Sequence, residues 1–230
     1  MTRILYDLAA ADPDLRFSPY CWRIKLALAH KNLDYETVAW RFTEKDKIAF
    51  SGQTKVPVLV DGETTVHDSQ TIAEYLESHY PDQPSLFGAP ACRGLISFIK
   101  QWTELTLHPA IVRIILPDIF PQLDPTDQPY FRRTREAAFG KTIEQMAAER
   151  DSHLPVFQEA LAPLRRTLSQ QPFIAGSTPN YADHIVFGAL RWAASMSRTA
   201  LFAEDDPITT WMAALLTTYR FGTAGDSAPV

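Results

Sequence analysis

Residues 54–69 read TKVPVLVDGETTVHDS, and the reading of this stretch decides the fold. Val56 to Val60 forms a β-branched run, Asp61-Gly62 is a turn pair, and Thr64 to His67 is a second short run. Together they predict a hairpin. Pro57 has no N–H to give to a strand ladder, so it marks an edge, a bulge or a cis bond. X–Pro bonds are cis in only about 5–6 % of cases in folded proteins, so this pattern alone leaves all three open. A cis bond would turn the Val56 backbone N–H and C=O outward, where a ligand's peptide can pair with them. Asp68-Ser69 then opens a helix to Tyr80 with Ile72, Tyr75 and Leu76 on one face, Ser69 being the expected N-cap and Gln70 the first helical residue.

Upstream, Arg3 to Leu8 and Tyr35 to Trp40 are strand candidates, and Pro19 to Lys31 is a helix candidate. The order strand, helix, strand, loop, strand, strand, helix suits a four-stranded mixed sheet with helices packed on it. Downstream the character changes. Pro81-Asp82-Gln83-Pro84, followed by Gly88 and Pro90, reads as a link and the clearest domain break. Beyond it only helices are expected: Cys92 to about Phe120, interrupted by Pro109 and Pro117, then residues 129–150, 154–168, 181–197 and 206–219. The fold class is α+β, with residues 1–84 as the sheet-bearing domain and 91–221 as an all-helical one. The small, polar stretch 222–230 is expected to be a disordered tail.

Composition narrows the function. Hydrophobic residues make up 46 % of 230, enough for a sizeable core, and the net charge of -5 without a basic run argues against nucleic acid. No apolar stretch approaches the roughly 20 residues that span a bilayer, so no membrane partner is expected. Met1 to Leu8 alternates as a strand and lacks the apolar core of a secretory leader. Cys21 and Cys92 cannot build a disulfide framework, which fits a reducing cytoplasm. The histidines show no metal-site spacing, and no metal is expected.

The segment Phe17-Ser18-Pro19-Tyr20-Cys21-Trp22-Arg23 places Ser18 as an N-cap and Pro19 at the first helical position. The Ser18 hydroxyl then lies beside unpaired N–H groups at the positive end of a helix, a favourable place for an anion. Asp68-Ser69 at another helix start could hold a zwitterionic amino-acid head, the N–H groups taking its carboxylate and Asp68 its amine. Taken singly, each of these also reads as an ordinary cap. Asn180-Tyr181-Ala182-Asp183 is a relative of the capping box, with a structural role only.

In their order and spacing, these motifs resemble the cytosolic glutathione transferase superfamily over roughly residues 3–221, nearest to its serine-type classes. Ser18-Pro19-Tyr20-Cys21-Trp22-Arg23, Ile72-Ala73-Glu74-Tyr75-Leu76 and Glu204-Asp205-Asp206-Pro207 are further similar to bacterial beta-aryl etherases and their fungal relatives. The resemblance implies a thioredoxin-like first domain, glutathione as cosubstrate and a hydrophobic electrophilic small molecule as its partner in reaction. It also implies a homodimer. By the same resemblance Ser18 donates a hydrogen bond to the glutathione sulfur, Val56 before a cis Pro57 pairs with the cysteinyl backbone, and Asp68 and Ser69 grip the gamma-glutamyl head. Lys55 matches a position that contacts the glycyl end, with Arg41 and Gln53 as rivals. The acceptor pocket would lie between the Ala9–Phe17 loop and the helical domain, walled by Phe17, Ile111 and Trp192. Ser-Pro-Tyr-Cys is the glutaredoxin-like pattern with serine in first place, so the attacking thiol of a reductase is missing. Cys21, at helical spacing with Ile24 and Leu28, is expected to pack inward. The implied activity is thiolate attack on an electrophile, aryl ether cleavage being the finer expectation and a ligandin-like binding protein the alternative.

Overall fold

The computed structural model describes residues 3–222, so the expected tail falls outside the described residues apart from Gly222. Four strands, β1 (Arg3–Leu8), β2 (Tyr35–Trp40), β3 (Val58–Asp61) and β4 (Thr64–His67), form one sheet in the order β2-β1-β3-β4. β1 runs parallel to β2 and antiparallel to β3, and β3 pairs antiparallel with β4. The predicted hairpin is present, with Gly62 at φ 61° in its turn, a conformation that disfavours residues with a Cβ. Val56-Pro57 is cis, and β3 begins only at Val58, two residues later than expected.

α1 (Pro19–His30) and α2 (Ser69–His79) belong to the sheet half. Leu5 and Leu59 on the sheet share one apolar cluster with Ile24, Ala27 and Leu28 of α1 and Ile72, Ala73 and Leu76 of α2. The other side of α1, through Trp22 and Leu26, enters a larger cluster built mainly by the helical half. From Cys21 to Leu28 α1 is therefore buried on all sides, Arg23 and Lys25 included. Those cations are compensated: Arg23 meets Glu104 at 2.8 Å and Lys25 meets Asp7 at 3.2 Å. Cys21 is fully buried, as expected, and burial drives its thiol pKa well up.

The helical half comprises α3 (Cys92–Trp102), a π-helical turn over Thr103–Leu107, α4 (His108–Ile119), α5 (Gln128–Phe139), α6 (Ile143–Ala160), α7 (Ala162–Leu168), α8 (Tyr181–Met196) and α9 (Pro207–Thr218). The helix boundaries differ from expectation here, and the helix expected over 154–168 is divided at Leu161 between α6 and α7. The break in the middle lies at residues 140–142 and not at 151–153. Gly140 at φ 66° ends α5, and Thr142 with Gln145 makes a reciprocal capping box that starts α6. α6 then continues through Pro155, and Pro117 lies within α4 without ending it. No helix among the described residues is long and apolar enough to cross a membrane.

α8 is the spine between the halves, and Gly188 is its point of closest approach. A Cβ there would lie 2.2 Å from the Pro19 carbonyl oxygen, so only glycine lets α8 press against the first turn of α1. Its start is fixed by Asn180 and Asp183, whose carboxylate also accepts from the Ile174 N–H (2.7 Å) and the Trp211 indole (3.0 Å).

Candidate functional site

The first turn of α1 opens onto a cavity of about 630 Å³ between the two halves. Ser18 has an extended backbone (φ -66°, ψ 123°), and its Oγ accepts the Cys21 N–H at 3.2 Å. That bond uses one lone pair, and the hydroxyl can still donate, the buried Cys21 thiol being one acceptor within its reach. Pro19 has no N–H, so Ser18 and the Tyr20 N–H are the polar groups at this helix end. Ser18, Lys55 and Val56 line the cavity together. Neither the Val56 N–H nor its C=O has a partner among the described residues. Lys55 is exposed and forms no ion pair among them, while Lys45 donates to the Thr54 carbonyl (2.6 Å) and lies 4.5 Å from the Trp40 ring centroid. Burial and repulsion from Lys55 lower the Lys45 pKa.

Asp68, not Ser69, caps α2. Its Oδ1 accepts from the Gln70 and Thr71 N–H groups, both at 3.0 Å, and its φ of 68° is rare for a residue with a side chain. Ser69 becomes the first helical residue, buried, its carbonyl accepting from the Tyr181 hydroxyl at 2.9 Å. Asp68 remains exposed outside the cavity lining, yet close enough to the Tyr20 phenol to add to the upward pKa shift that burial chiefly causes.

Three expected site residues are placed elsewhere. Arg41 donates to the Ala10 (3.2 Å) and Ala11 (2.9 Å) carbonyls and holds the 9–17 loop, away from the cavity. Gln53 contacts His67 Nε2 at 3.2 Å and does not reach the cavity lining. Ile111 is fully buried in the core, because α4 turns His108, Val112 and Leu116 toward the cavity instead. Phe17 and Trp192 do line it, but the 9–16 loop contributes nothing to the wall.

The remaining walls come from residues that the sequence did not single out. Trp40 and Phe42 follow one another across the end of β2, and buried Asp127 pins this segment by accepting from the Phe42 (3.0 Å) and Thr43 (2.9 Å) N–H groups. Phe42 thereby meets Phe17, Trp40, Tyr130 and Phe131 at ring-centroid distances of 5.8 to 6.4 Å. On the opposite side His108 packs edge-on against Tyr20 and Trp192. Burial, with help from Arg23, lowers its pKa to about 4, so it is neutral at pH 7. Glu104 also lines the cavity. Burial works to raise its pKa, but hydrogen bonds from Arg23 (2.8 Å) and Lys100 (2.9 Å) outweigh it and hold the carboxyl low. No cluster of side chains suited to a metal ion occurs among the described residues.

A mixed sheet whose third strand follows a cis Val-Pro, joined to helices across a cavity at the first helix's N-terminus, defines a thioredoxin-like domain with an all-helical partner domain. The chain belongs to the glutathione S-transferase family: residues 13–84 match its N-terminal domain and residues 94–217 its C-terminal domain. Among curated relatives, the glutathione S-transferase-like protein ustS of Aspergillus flavus is 28 % identical over 140 residues, 55 % of this chain and 49 % of that protein. The chain spans less than half the length of the first curated relatives it matches. The fold agrees with glutathione transferase GSTFuA3 from Phanerochaete chrysosporium, with a TM-score of 0.85 and 23 % identity over 97 % of this chain and 99 % of the other. It also agrees with CsGST83044 of Ceriporiopsis subvermispora, solved in complex with glutathione, with a TM-score of 0.79 and 24 % identity over 95 % and 98 %.

Proposed function

We propose that the protein binds glutathione, lowers the pKa of its thiol and directs the thiolate onto a hydrophobic electrophile in the same cavity. The observation that carries this is the joint opening of the Ser18 hydroxyl, a hydrogen-bond donor at a helix N-terminus, and the unpartnered Val56 backbone onto one aromatic-walled cavity. Glutathione's cysteinyl peptide pairs with Val56, its sulfur faces Ser18, and Asp68 with the first turn of α2 holds the gamma-glutamyl head. Its glycyl carboxylate meets Lys55 and Lys45. Lys55 is preferred to Arg41 and Gln53 because those two are engaged with the Ala10 and Ala11 carbonyls and with His67.

Ser18 is a donor and not the nucleophile. A free thiol of pKa about 8.5 is mostly protonated at pH 7, and lowering that value by two units takes about 2.7 kcal/mol. One hydrogen bond to a charged acceptor supplies about 1.5–3 kcal/mol, and the helix terminus adds to it. In the finer reading the electrophile is an aryl ether: carbon–sulfur bond formation expels a phenolate, and water supplies the proton that neutralises it. The family resemblance of residues 18–23, 72–76 and 204–207 supports that choice. The protein would act as a homodimer in a reducing cytoplasm, and the exposed apolar Leu95 and Phe98 on α3 offer a face for pairing.

The test is a calorimetric titration with glutathione followed by a glutathione-dependent turnover screen that includes aryl ethers and halogenated aromatics. Binding with turnover supports the transferase reading. Binding without any turnover would favour the ligand-binding alternative, and no binding at millimolar glutathione would sink both.

A further inference from the structure

The far half of the cavity carries positive charge that glutathione does not use. Arg135 on α5 lies 4.9 Å from the Phe131 ring centroid and 5.7 Å from that of Phe42. Its one hydrogen bond among the described residues is to Thr134 Oγ1 at 3.1 Å, and no carboxylate pairs with it there. Arg132, one turn away, shows the ordinary arrangement, tied to Glu136 and Glu144 at 2.9 Å each. Arg113 of α4 lines the same cavity and likewise has no ion-pair partner among the described residues. The one carboxylate in the cavity wall, Glu104, is already answered by Arg23 and Lys100.

Four cations thus line the cavity, and of these Lys45 feels the Asp127 carboxylate while Arg113 and Arg135 have no ion-pair partner among the described residues. Lys45 and Lys55 lie on the sheet side with Val56, where the glycyl carboxylate is expected. Arg135 packs on the Phe42 and Phe131 rings from α5, and exposed Arg113 lines the cavity from α4. A guanidinium half withdrawn from water against ring faces, with no anion beside it, is disfavoured by its lost hydration. Burial already lowers the Arg135 pKa, and an anionic ligand would reverse that effect. The planar fork of arginine matches a carboxylate bidentately, and Phe42 and Tyr130, packed on buried Phe131, give the cavity an aromatic wall for a flat ring.

We propose that the acceptor is an aromatic electrophile bearing a carboxylate, its ring held against Phe42 and Tyr130 and its acid group bound by Arg135. This deepens the transferase reading and rests on it. The reaction balances without a further reagent. Taking 4-chloro-3-nitrobenzoate as the probe, the thiolate sulfur bonds to the ring carbon bearing chlorine. The carbon–chlorine bond then breaks, chloride leaves with the electron pair, and the thiol's proton has already passed to water.

The experiment compares this acid with 4-chloro-3-nitrobenzamide, each kcat/KM divided by the uncatalysed rate constant with glutathione. Wild type should favour the acid about tenfold or more, a preference that weakens with added salt. Arg135→Gln should bring the ratio close to one, and Arg135→Lys should restore part of it. Equal corrected efficiencies in wild type, or a ratio that Arg135→Gln leaves unchanged, would overturn the proposal. Should neither compound turn over, the transferase reading is left to the wider turnover screen, and tryptophan fluorescence decides the anion site by itself. The acid must still bind the glutathione-loaded protein more tightly than the amide, and lose that advantage in Arg135→Gln. Equal binding of the two would overturn it.

Discussion

Replacing Ser18 by alanine removes two hydrogen bonds, and the structure assigns each a separate readout. As the N-cap of α1, Ser18 accepts the Cys21 N–H at 3.2 Å, and losing a cap costs about 1 kcal/mol of stability. In a protein of this size that lowers the melting temperature by roughly 2–4 °C. As the proposed donor to the glutathione sulfur, it contributes about 1.5–3 kcal/mol in favour of the thiolate, equivalent to about one to two pKa units. A donor stabilises the charged form and lowers the thiol pKa, so its removal raises it. At a pH below both values the thiolate fraction, and turnover with it, falls about ten- to a hundredfold. At high pH the loss is recovered. The Tyr20 N–H, without a partner among the described residues, can replace part of the bond, so activity need not vanish. Affinity for glutathione should change little, because the contacts proposed at Val56, Asp68 and Lys55 grip the peptide and not the sulfur. The assay is the ultraviolet absorbance of bound thiolate against pH, beside the pH profile of kcat/KM, for wild type, Ser18→Ala and Ser18→Thr. Threonine keeps both cap and donor and should titrate near wild type. An unchanged titration with unchanged turnover in Ser18→Ala would refute the reasoning and make a backbone amide the activating group.

Gly188→Ala should destabilise the protein by about 1–3 kcal/mol despite alanine's better helix propensity, since the new Cβ meets a backbone carbonyl at 2.2 Å. Turnover should fall as well, because the displaced residue is Pro19, next to Ser18; a urea midpoint at or above wild type would contradict this. His108, with its folded pKa lowered to about 4 from an unfolded value near 6.5, contributes stability that is intact above pH 6.5 and lost as pH falls toward 4, on the order of 3 kcal/mol. Buried His30 and His184 shift in the same direction, so the measurement is the difference between wild type and His108→Phe in urea midpoint at pH 7 and pH 4.5. The variant should lose less, and parallel losses would refute it. Sedimentation should show a mass near twice 25.9 kDa, and Phe98→Glu on the exposed face of α3 should shift it to a monomer. A wild-type monomer at all concentrations would count against pairing.

The sheet and its site were legible where local rules act within a few residues. The Asp61-Gly62 turn predicts the hairpin, and Ser-Pro predicts the cap and first residue of α1. The Asn180–Asp183 spacing predicts a capping box that is present. Asp68-Ser69 shows the limit of such rules, since both residues cap well. The choice between them rests on Asp68 taking φ 68°, which places its carboxylate over two N–H groups at once. Arg41 and Gln53 carry the right chemistry for a carboxylate and lie near the right motifs. Their side chains are taken up by the 9–17 loop and by His67, contacts that local spacing does not encode.

The acceptor wall was hidden for a different reason, which lies in the π-helical turn before α4. There the His108 N–H reaches back to the Thr103 carbonyl, five residues away and not four. Each residue of an α-helix turns about 100°, so one additional residue rotates everything after it by that amount. A helical wheel carried unbroken from Cys92 to Phe120 is therefore wrong by one position past Leu107. That is the difference between Ile111, which the rotation sends into the core, and Val112, which it brings to the cavity beside His108 and Leu116. The signal for the turn is Pro109 itself. It cannot donate to the Leu105 carbonyl, and a helix that continues through it must relax its ladder just upstream. Interrupting proline and shifted wall are then one feature, and Pro109 sets which α4 side chains line the cavity.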